Sequence, residues 1–405
     1  MLETNLTILI SPNQIKELLA TQGKDLIEIR HYLHAHPELS FEEEATASYI
    51  CQLLSSWHIN YQEGVGGHGI TGLIKGRNSE KKVIALRADM DALPIAEENI
   101  FPYASLYKGK MHACGHDVHM TCLLGALKLL NELKEEFEGT IKFIFQPAEE
   151  SLPGGSIKMI EAGVLENPRP DYIFAQHVYP ELEAGKVGFR TGRYMASSDE
   201  INLYINGKGG HAAMPSTYDN TVLAAANLLI DLQKVLKKNK PAHVPSVLAF
   251  GKVVADGAHN VIPSGVSLHG TFRTFDEDWR LKVHQLIEQT ARDTAGQHHT
   301  QCRVVIDHGY PVLINDEVAT SIAREAAIEF LGKENVAALD IRMTVEDFAR
   351  YGQVIPACFY RLGTGNKEQG ITSNLHTSTF DVDEKSIVIG TGLMVWLCLK
   401  GLQEG

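Results

Sequence analysis

The chain has 405 residues, enough for two domains of ordinary size and for an interior that can bury a reactive site. Its 37 lysines and arginines stand against 50 aspartates and glutamates, a formal net charge of −13 that opposes a phosphate backbone, so nucleic acid is excluded as the expected partner. Six scattered cysteines fit free thiols, the opening MLETNLTILISPNQ lacks the basic region of a signal peptide, and no segment reads as a membrane span; the expectation is an untargeted cytoplasmic protein with no membrane partner.

Residues 13–36 and 42–57 carry the periodicity of two amphipathic helices separated at Pro37, and 69–75 and 82–88 read as strands. Asp117 is positioned to cap a long helix running to about residue 137, with Met120, Leu123, Leu124 and Leu127 at helical spacing. Strands follow at 141–146 and 171–178, the second so continuously apolar that helices are expected on both faces of its sheet. From about Tyr194 the style changes to a strand EINLYING, a helix over 218–236, strands at 246–254 and 265–275, and a helix from Glu277 with Trp279, Val283 and Ile287 on one stripe, a β-α-β-β-α-β unit. A strand near 303–309, a helix over 315–331, a strand at 355–361 and a final helix from Asp383 return to the first style. The expected architecture is α/β: a mixed, mostly parallel sheet flanked by helices, formed by 1–193 and 303–405, with an inserted α+β ferredoxin-like unit at 194–302.

Residues 112–119, HACGHDVH, place three histidines in eight positions of a chain with 18 histidines in all, a density that asks for a metal. A sharp turn at Gly115 can aim Cys114 and His116 at one ion. In FIFQPAEES, Glu149 and Glu150 follow a strand, and adjacent carboxylates can divide metal ligation and proton transfer; a solvated acidic pair is the plainer reading. His177 in AQHV and His376 in SNLHTS read, taken singly, as satisfied core histidines as readily as ligands. Asp89 and Asp91 end a strand on the same side of an extended chain, where Asp91 can orient a ligating histidine or simply close an acidic turn.

Taken together, RHYLHAHPELSFEE, RADMDALP, HACGHDVH, QPAEE, GKGGHAAMP, HNVIP and GTFRTF resemble, in order and over nearly the whole chain, the dinuclear-metal amidohydrolases of the aminoacylase and zinc-carboxypeptidase superfamily. The branch it is most similar to holds hippurate hydrolases, N-acyl-amino-acid amidohydrolases and auxin-conjugate hydrolases. The resemblance implies that Cys114, His116, Glu150, His177 and His376 hold two divalent ions, Zn²⁺ or Mn²⁺ foremost with Co²⁺ and Ni²⁺ also suited, and that Asp91 supports them from behind. It implies hydrolysis of the amide bond of hippurate-like or N-acetyl amino acids by a water shared between the ions, with Glu149 as general base and acid. It further implies His211 as donor to the oxyanion, and Asn260, Arg273 and Gly363 as substrate-binding residues. Relatives outside the branch carry a ligating histidine where Asp89 stands and a bridging aspartate, which makes Cys114 the bridging ligand here and leaves Asp89, Asp117 and His119 open.

Two departures from the branch, MTVEDF with Thr344 and Val345 for the usual MGSEDF, and HTSTF without a proline after His376, bear on the acyl pocket rather than on a ligand. The rival readings are a cysteine hydrolase with Cys114 as nucleophile and a non-catalytic small-molecule binding protein on the same scaffold. The expected partner is a small-molecule N-acyl amino acid, and exposed edges of the inserted sheet suit a homodimer through that unit.

Overall fold

A computed structural model describes residues 10–403; the untargeted reading of residues 1–9 lies outside them. The chain forms two compact units, a larger one made of residues up to Gly192, Ile314–Asp340 and residues from Asp347 on, and a smaller one made of Arg193–Leu313 and Ile341–Glu346.

The larger unit is built on an eight-stranded mixed sheet, in the spatial order Tyr61–Val65, Gly69–Lys75, Thr140–Gln146, Val83–Asp89, Tyr172–Glu183, Ala357–Gly365, Val187–Phe189 and Val336–Ala338. Its four central strands run parallel, Thr140–Gln146 beside Val83–Asp89, then Tyr172–Glu183 and Ala357–Gly365. Every residue of Val83–Asp89 and of Thr140–Gln146 is buried, as strands covered on both faces of a sheet must be. Helices Pro12–Ala35, His116–Glu132 and Lys385–Gln403 pack together against this core. The last of these does have the length and apolarity of a membrane span, against expectation, but most of it is buried among the other helices, as in a core helix.

Asp117 does not cap its helix. The helix His116–Glu132 starts at Gly115 with no side-chain cap and ends in a short 3-10 turn, Lys134–Glu136. Asp117 turns inward, accepting from Arg30 Nε at 2.9 Å and meeting His34 Nδ1 at 2.8 Å, because a fully buried guanidinium needs a counter-charge more than a helix end needs a cap. The short strands Tyr61–Val65, Val187–Phe189 and Val336–Ala338 carry too few residues to show a period in the sequence.

The smaller unit is a four-stranded antiparallel sheet in the order Ser246–Val254, Gly265–Thr274, Ser197–Asn206, Gln301–His308, the arrangement of a ferredoxin-like β-α-β-β-α-β unit. The strand expected to resume the outer domain therefore pairs, as Gln301–His308, with the inserted sheet, and moves the boundary from 302 to Leu313. Helices Thr221–Asn239 and Glu277–Gln297 close over Ile201, Leu203, Ile205 and Phe272.

Within that core Asp199 is buried beside Arg280, with Nη2 at 2.6 Å and Nε at 2.9 Å, and beside His284 Nε2 at 2.7 Å. Burial alone would raise its pKa, but the bonds to Arg280 and His284 prevail and hold it at about 2. A carboxylate held below its unfolded value stabilises the fold above the ordinary carboxylate range and loses that contribution as pH falls toward 2. Asp199→Asn should therefore cost about 3 kcal/mol at pH 7, the low end for a broken buried pair because Glu277 remains on Arg280. Urea denaturation of both proteins should show the gap closing between about pH 4 and 2, and a pH-independent gap would refute the assignment.

Candidate metal centre

The carboxyl ends of the parallel strands and the loops that follow them deliver the ligand-type residues, as expected where parallel α/β sheets keep their chemistry. Cys114 and His116 flank Gly115, whose φ is +79° and whose Cβ, if it had one, would lie 2.4 Å from Val178 Cγ2, so both conformation and space demand glycine. Glu149 and Glu150 follow Thr140–Gln146 through Pro147 and Ala148, and Ala148 is left-handed at φ +52°. His177 lies within Tyr172–Glu183. His376, beyond Ala357–Gly365, is also left-handed at φ +61° and is tied down by its own N–H, which donates to Ala113 O at 2.8 Å. Left-handed non-glycine residues are strained, and two of them sit at this one place.

The five side chains converge on the Cys114 sulfur. His177 Nε2 and His376 Nε2 each stand 3.4 Å from Cys114 Sγ. Ions held by bonds of about 2.1 Å to nitrogen and 2.3 Å to sulfur at tetrahedral angles would place such atoms about 3.6 Å apart. Cys114, His116 and His177 form one three-ligand group, Cys114, Glu150 and His376 another, and the ligand atoms within each lie within 4.8 Å of one another, so Cys114 is common to both. Cys114, His116 and His177 are buried, whereas the His376 side chain is 51% exposed, so one group is closed and the other open to substrate.

Unsatisfied atoms show that the pocket fits cations. His116 Nε2 and Glu150 Oε1 are buried without a hydrogen-bond partner. His376 Nε2 approaches Glu150 Oε1 to 3.1 Å and still makes no aligned bond, an arrangement suited to two groups sharing an ion rather than a proton. Burial pushes the Cys114 thiol well above its usual range, and Glu150 and Glu149 push it further. Burial would lower His116, but Asp89 and Asp91 outweigh it and drive the ring up to about 10. Both shifts mark a pocket short of positive charge. His177 is held neutral by burial, then by Arg361 and His119, and its Nδ1–H donates to Val178 O at 2.8 Å, leaving Nε2 as a lone pair facing the sulfur.

The residues left open by the sequence have partners of their own, although Asp89, His116 and His119 also lie close enough together to form a possible three-ligand group. His119 accepts from Val178 N–H at Nε2, 2.9 Å, and donates from Nδ1 to Asp89 at 2.6 Å, so neither nitrogen is available to a metal. Asp89 is further bound by Arg87 Nη1 at 2.5 Å; burial would raise it, but His116, His119 and Arg87 keep it well below the carboxylate range. Asp117 belongs to the Arg30 pair. Asp91 supports the centre: Oδ1 accepts from Glu149 N–H at 3.0 Å, Oδ2 from Glu150 N–H at 3.0 Å and Ser40 Oγ at 2.6 Å, and Oδ1 lies 3.3 Å from His116 Nδ1, although that last contact is too bent to count as a hydrogen bond.

Other residues had no ligand-type pattern to betray them. Arg87, buried inside an apolar strand, bonds Gln146 and Asp347 as well as Asp89, and Asp347 in turn takes Gln146 Nε2 and Ser156 N–H. Thus fixed, Asp347 aims its own N–H at Glu149 Oε1, 3.3 Å away. A basic residue buried in VIALRAD, two positions before Asp89, was the one available signal.

The smaller unit holds the remaining candidates. His211 pairs with Val261 in a two-stranded ribbon, and its Nδ1 accepts from Ala213 N–H at 3.1 Å, so Nε2 carries the proton on an exposed ring. Asn260, also exposed, joins the same ribbon through its carbonyl, and Arg273 Nη1 donates to Met343 O at 2.6 Å. Thr344 and Val345 lie in the Ile341–Glu346 segment of that unit. A Cβ at Gly363 would meet Glu183 O at 2.2 Å, so close strand packing by itself already requires the glycine.

Residues 85–400 match the family described as peptidase family M20/M25/M40. The chain is 39% identical to an N-acyl-L-amino acid amidohydrolase of Geobacillus stearothermophilus over 76% of its own length and 82% of that protein. It is 38% identical to an N-acetyl-L-cysteine deacetylase of Bacillus subtilis (strain 168), covering 91% of this chain and 86% of the relative. A solved Bacillus subtilis structure, described as a dinuclear metal binding peptidase from the M20 family, superimposes with a TM-score of 0.80 at 34% identity, covering 94% of this chain and 98% of that one.

Proposed function

The chain belongs to peptidase family M20/M25/M40, and from that membership we propose that the Cys114, His116, Glu150, His177 and His376 cluster is its reaction centre, with Glu149 moving the proton. The protein is a metal-dependent amidohydrolase that cleaves the amide bond of N-acyl amino acids, releasing a carboxylic acid and a free amino acid. One observation carries the assignment of the site: ligand-type side chains from four separated segments meet around one sulfur, beside a general-base candidate that is only 5% exposed.

Two divalent ions held there supply Lewis acidity toward the amide carbonyl and make the attacking water acidic near neutral pH. Glu149, its backbone fixed by Asp91 and its Oε1 accepting from Asp347 N–H, removes a proton from that water and delivers it to the leaving nitrogen. The delivery matters because an amide anion is a poor leaving group. His211, with a proton fixed on Nε2, donates to the oxyanion. Asn260 and Arg273, which keeps donors beyond the one given to Met343, grip the substrate carboxylate. The nucleophilic-cysteine reading does not suit a thiol raised by burial beside a histidine that is itself held neutral.

Zn²⁺ or Mn²⁺ is the proposed metal and a hippurate-like or N-acetyl amino acid the proposed substrate, supported by a mixed sulfur, nitrogen and oxygen shell and by what the relatives are named for. All six cysteines are free thiols, which suits the reducing cytoplasm we propose and which cell fractionation would test. A homodimer is proposed through the smaller unit, where the edge strand Ser246–Val254 exposes Val247, Val253 and Val254.

Glu149→Gln should retain both ions and lose about 10²-fold to 10⁴-fold in kcat; near-normal turnover with full metal content would reject Glu149 as the base. Dialysis against a chelator should abolish hydrolysis of hippurate and N-acetyl amino acids, with Zn²⁺ or Mn²⁺ restoring it. Activity in protein shown by elemental analysis to be metal-free would end the metal-dependent mechanism. Sedimentation should return twice the chain mass, and a monomer at assay concentrations would remove the dimer.

A further inference from the structure

Glu43 stands at the N-cap of helix Glu44–Ser56, where a short polar side chain ordinarily accepts from the first turn, and it makes no such bond. Glu38 does that work instead, accepting from Ala45 N–H at 3.1 Å and from Thr46 N–H at 2.7 Å. Freed from capping, Glu43 is completely buried, and among the described residues no lysine, arginine or histidine pairs with it. Its Oε1 accepts from Ala148 N–H at 2.7 Å, across 105 positions of sequence, and from Phe41 N–H at 3.0 Å, while Oε2 is buried with no partner. A buried carboxylate without a cation is unfavourable, and a residue that breaks a local rule at such cost is expected where function requires it.

The amide that Glu43 holds is the first of three in a row. Ala148 N–H goes to Glu43, Glu149 N–H to Asp91 Oδ1 and Glu150 N–H to Asp91 Oδ2. Ala148 is left-handed, an unfavourable state for a residue with a Cβ, and it persists only if its surroundings impose it. We propose that Glu43 is a positioning residue for the reaction, the second jaw of a two-carboxylate clamp that locks the Ala148–Glu150 turn and so sets where the base Glu149 and the ligand Glu150 point. The inference rests on the roles proposed above for those two glutamates. Glu43 touches neither substrate nor metal and acts only through the Ala148 backbone; a displacement near 1 Å at a reacting group can cost on the order of 10²-fold in rate.

The test compares Glu43→Gln, which keeps an acceptor oxygen in place, with Glu43→Met, which removes it at similar size, each folded by circular dichroism. Glu43→Met should lose about 10-fold to 100-fold both in kcat and in metal affinity, measured by competition with a chromophoric chelator, with KM within about threefold of the parent. Glu43→Gln should restore both to within about threefold, and Glu38→Ala, which only uncaps the helix, should lower the melting temperature without changing kcat. Glu43→Asp withdraws the carboxylate by one methylene, should fall between the two, and decides the matter if Glu43→Met does not fold. Parental kcat and metal affinity in Glu43→Met, or a Gln variant as impaired as Met, would overturn the clamp. An active Glu149→Gln would overturn the base alone and leave metal affinity in the Glu43 variants to judge the clamp.

Discussion

The Asp91 carboxylate joins stretches of chain that lie far apart in the sequence. It takes the Ser40 hydroxyl from the segment between the first two helices and two consecutive amides from the turn after the strand Thr140–Gln146, and it stands against the His116 ring at the start of another helix. Position 91 can do this because it lies just past a strand that is buried along its whole length and cannot shift. The geometry of the centre is thus inherited from the sheet, not from the loops that carry the ligands.

Two arginines sort the buried acids into kinds. Arg30 neutralises Asp117, and Arg87 neutralises Asp89 and Asp347, so these three act as struts. Among the described residues Asp91 and Glu150 have no guanidinium partner, and with Glu149 they crowd around a thiol and an imidazole whose titration is displaced in the direction expected of an interior short of cations. The distribution of charge within the fold, more than the presence of acidic residues as such, separates ligands from scaffold.

Much of this was readable in the chain. The strands Gly69–Lys75 and Ser246–Val254 and the long helices fall where period and composition place them, because each has one environment along its length. The candidate ligands were legible as residue types and in order, through HACGHDVH and QPAEE, but their convergence was not, since nothing local relates His376 to Cys114 across 262 residues. Asp117 misled because capping is a local rule and its real partner, Arg30, lies 87 positions away. Gly363 shows a related limit: glycine marks close approach, here to Glu183 O, but the sequence does not say of what. Glu43 stood at the end of RHYLHAHPELSFEE, but as one acid in the run FEEE it carried no sign of its own role.

His119 illustrates how such a centre can deceive an experimenter. With one nitrogen bracing a strand amide and the other an aspartate, its ring works as a truss between two strands, with its centroid 4.6 Å from that of the candidate ligand His177. Replacing it would loosen the scaffold and release metal just as loss of a true ligand would. Mutational scanning that scores only metal retention would therefore enrol it in the coordination sphere, and counting the bonds already made by each ring nitrogen tells the two kinds of histidine apart.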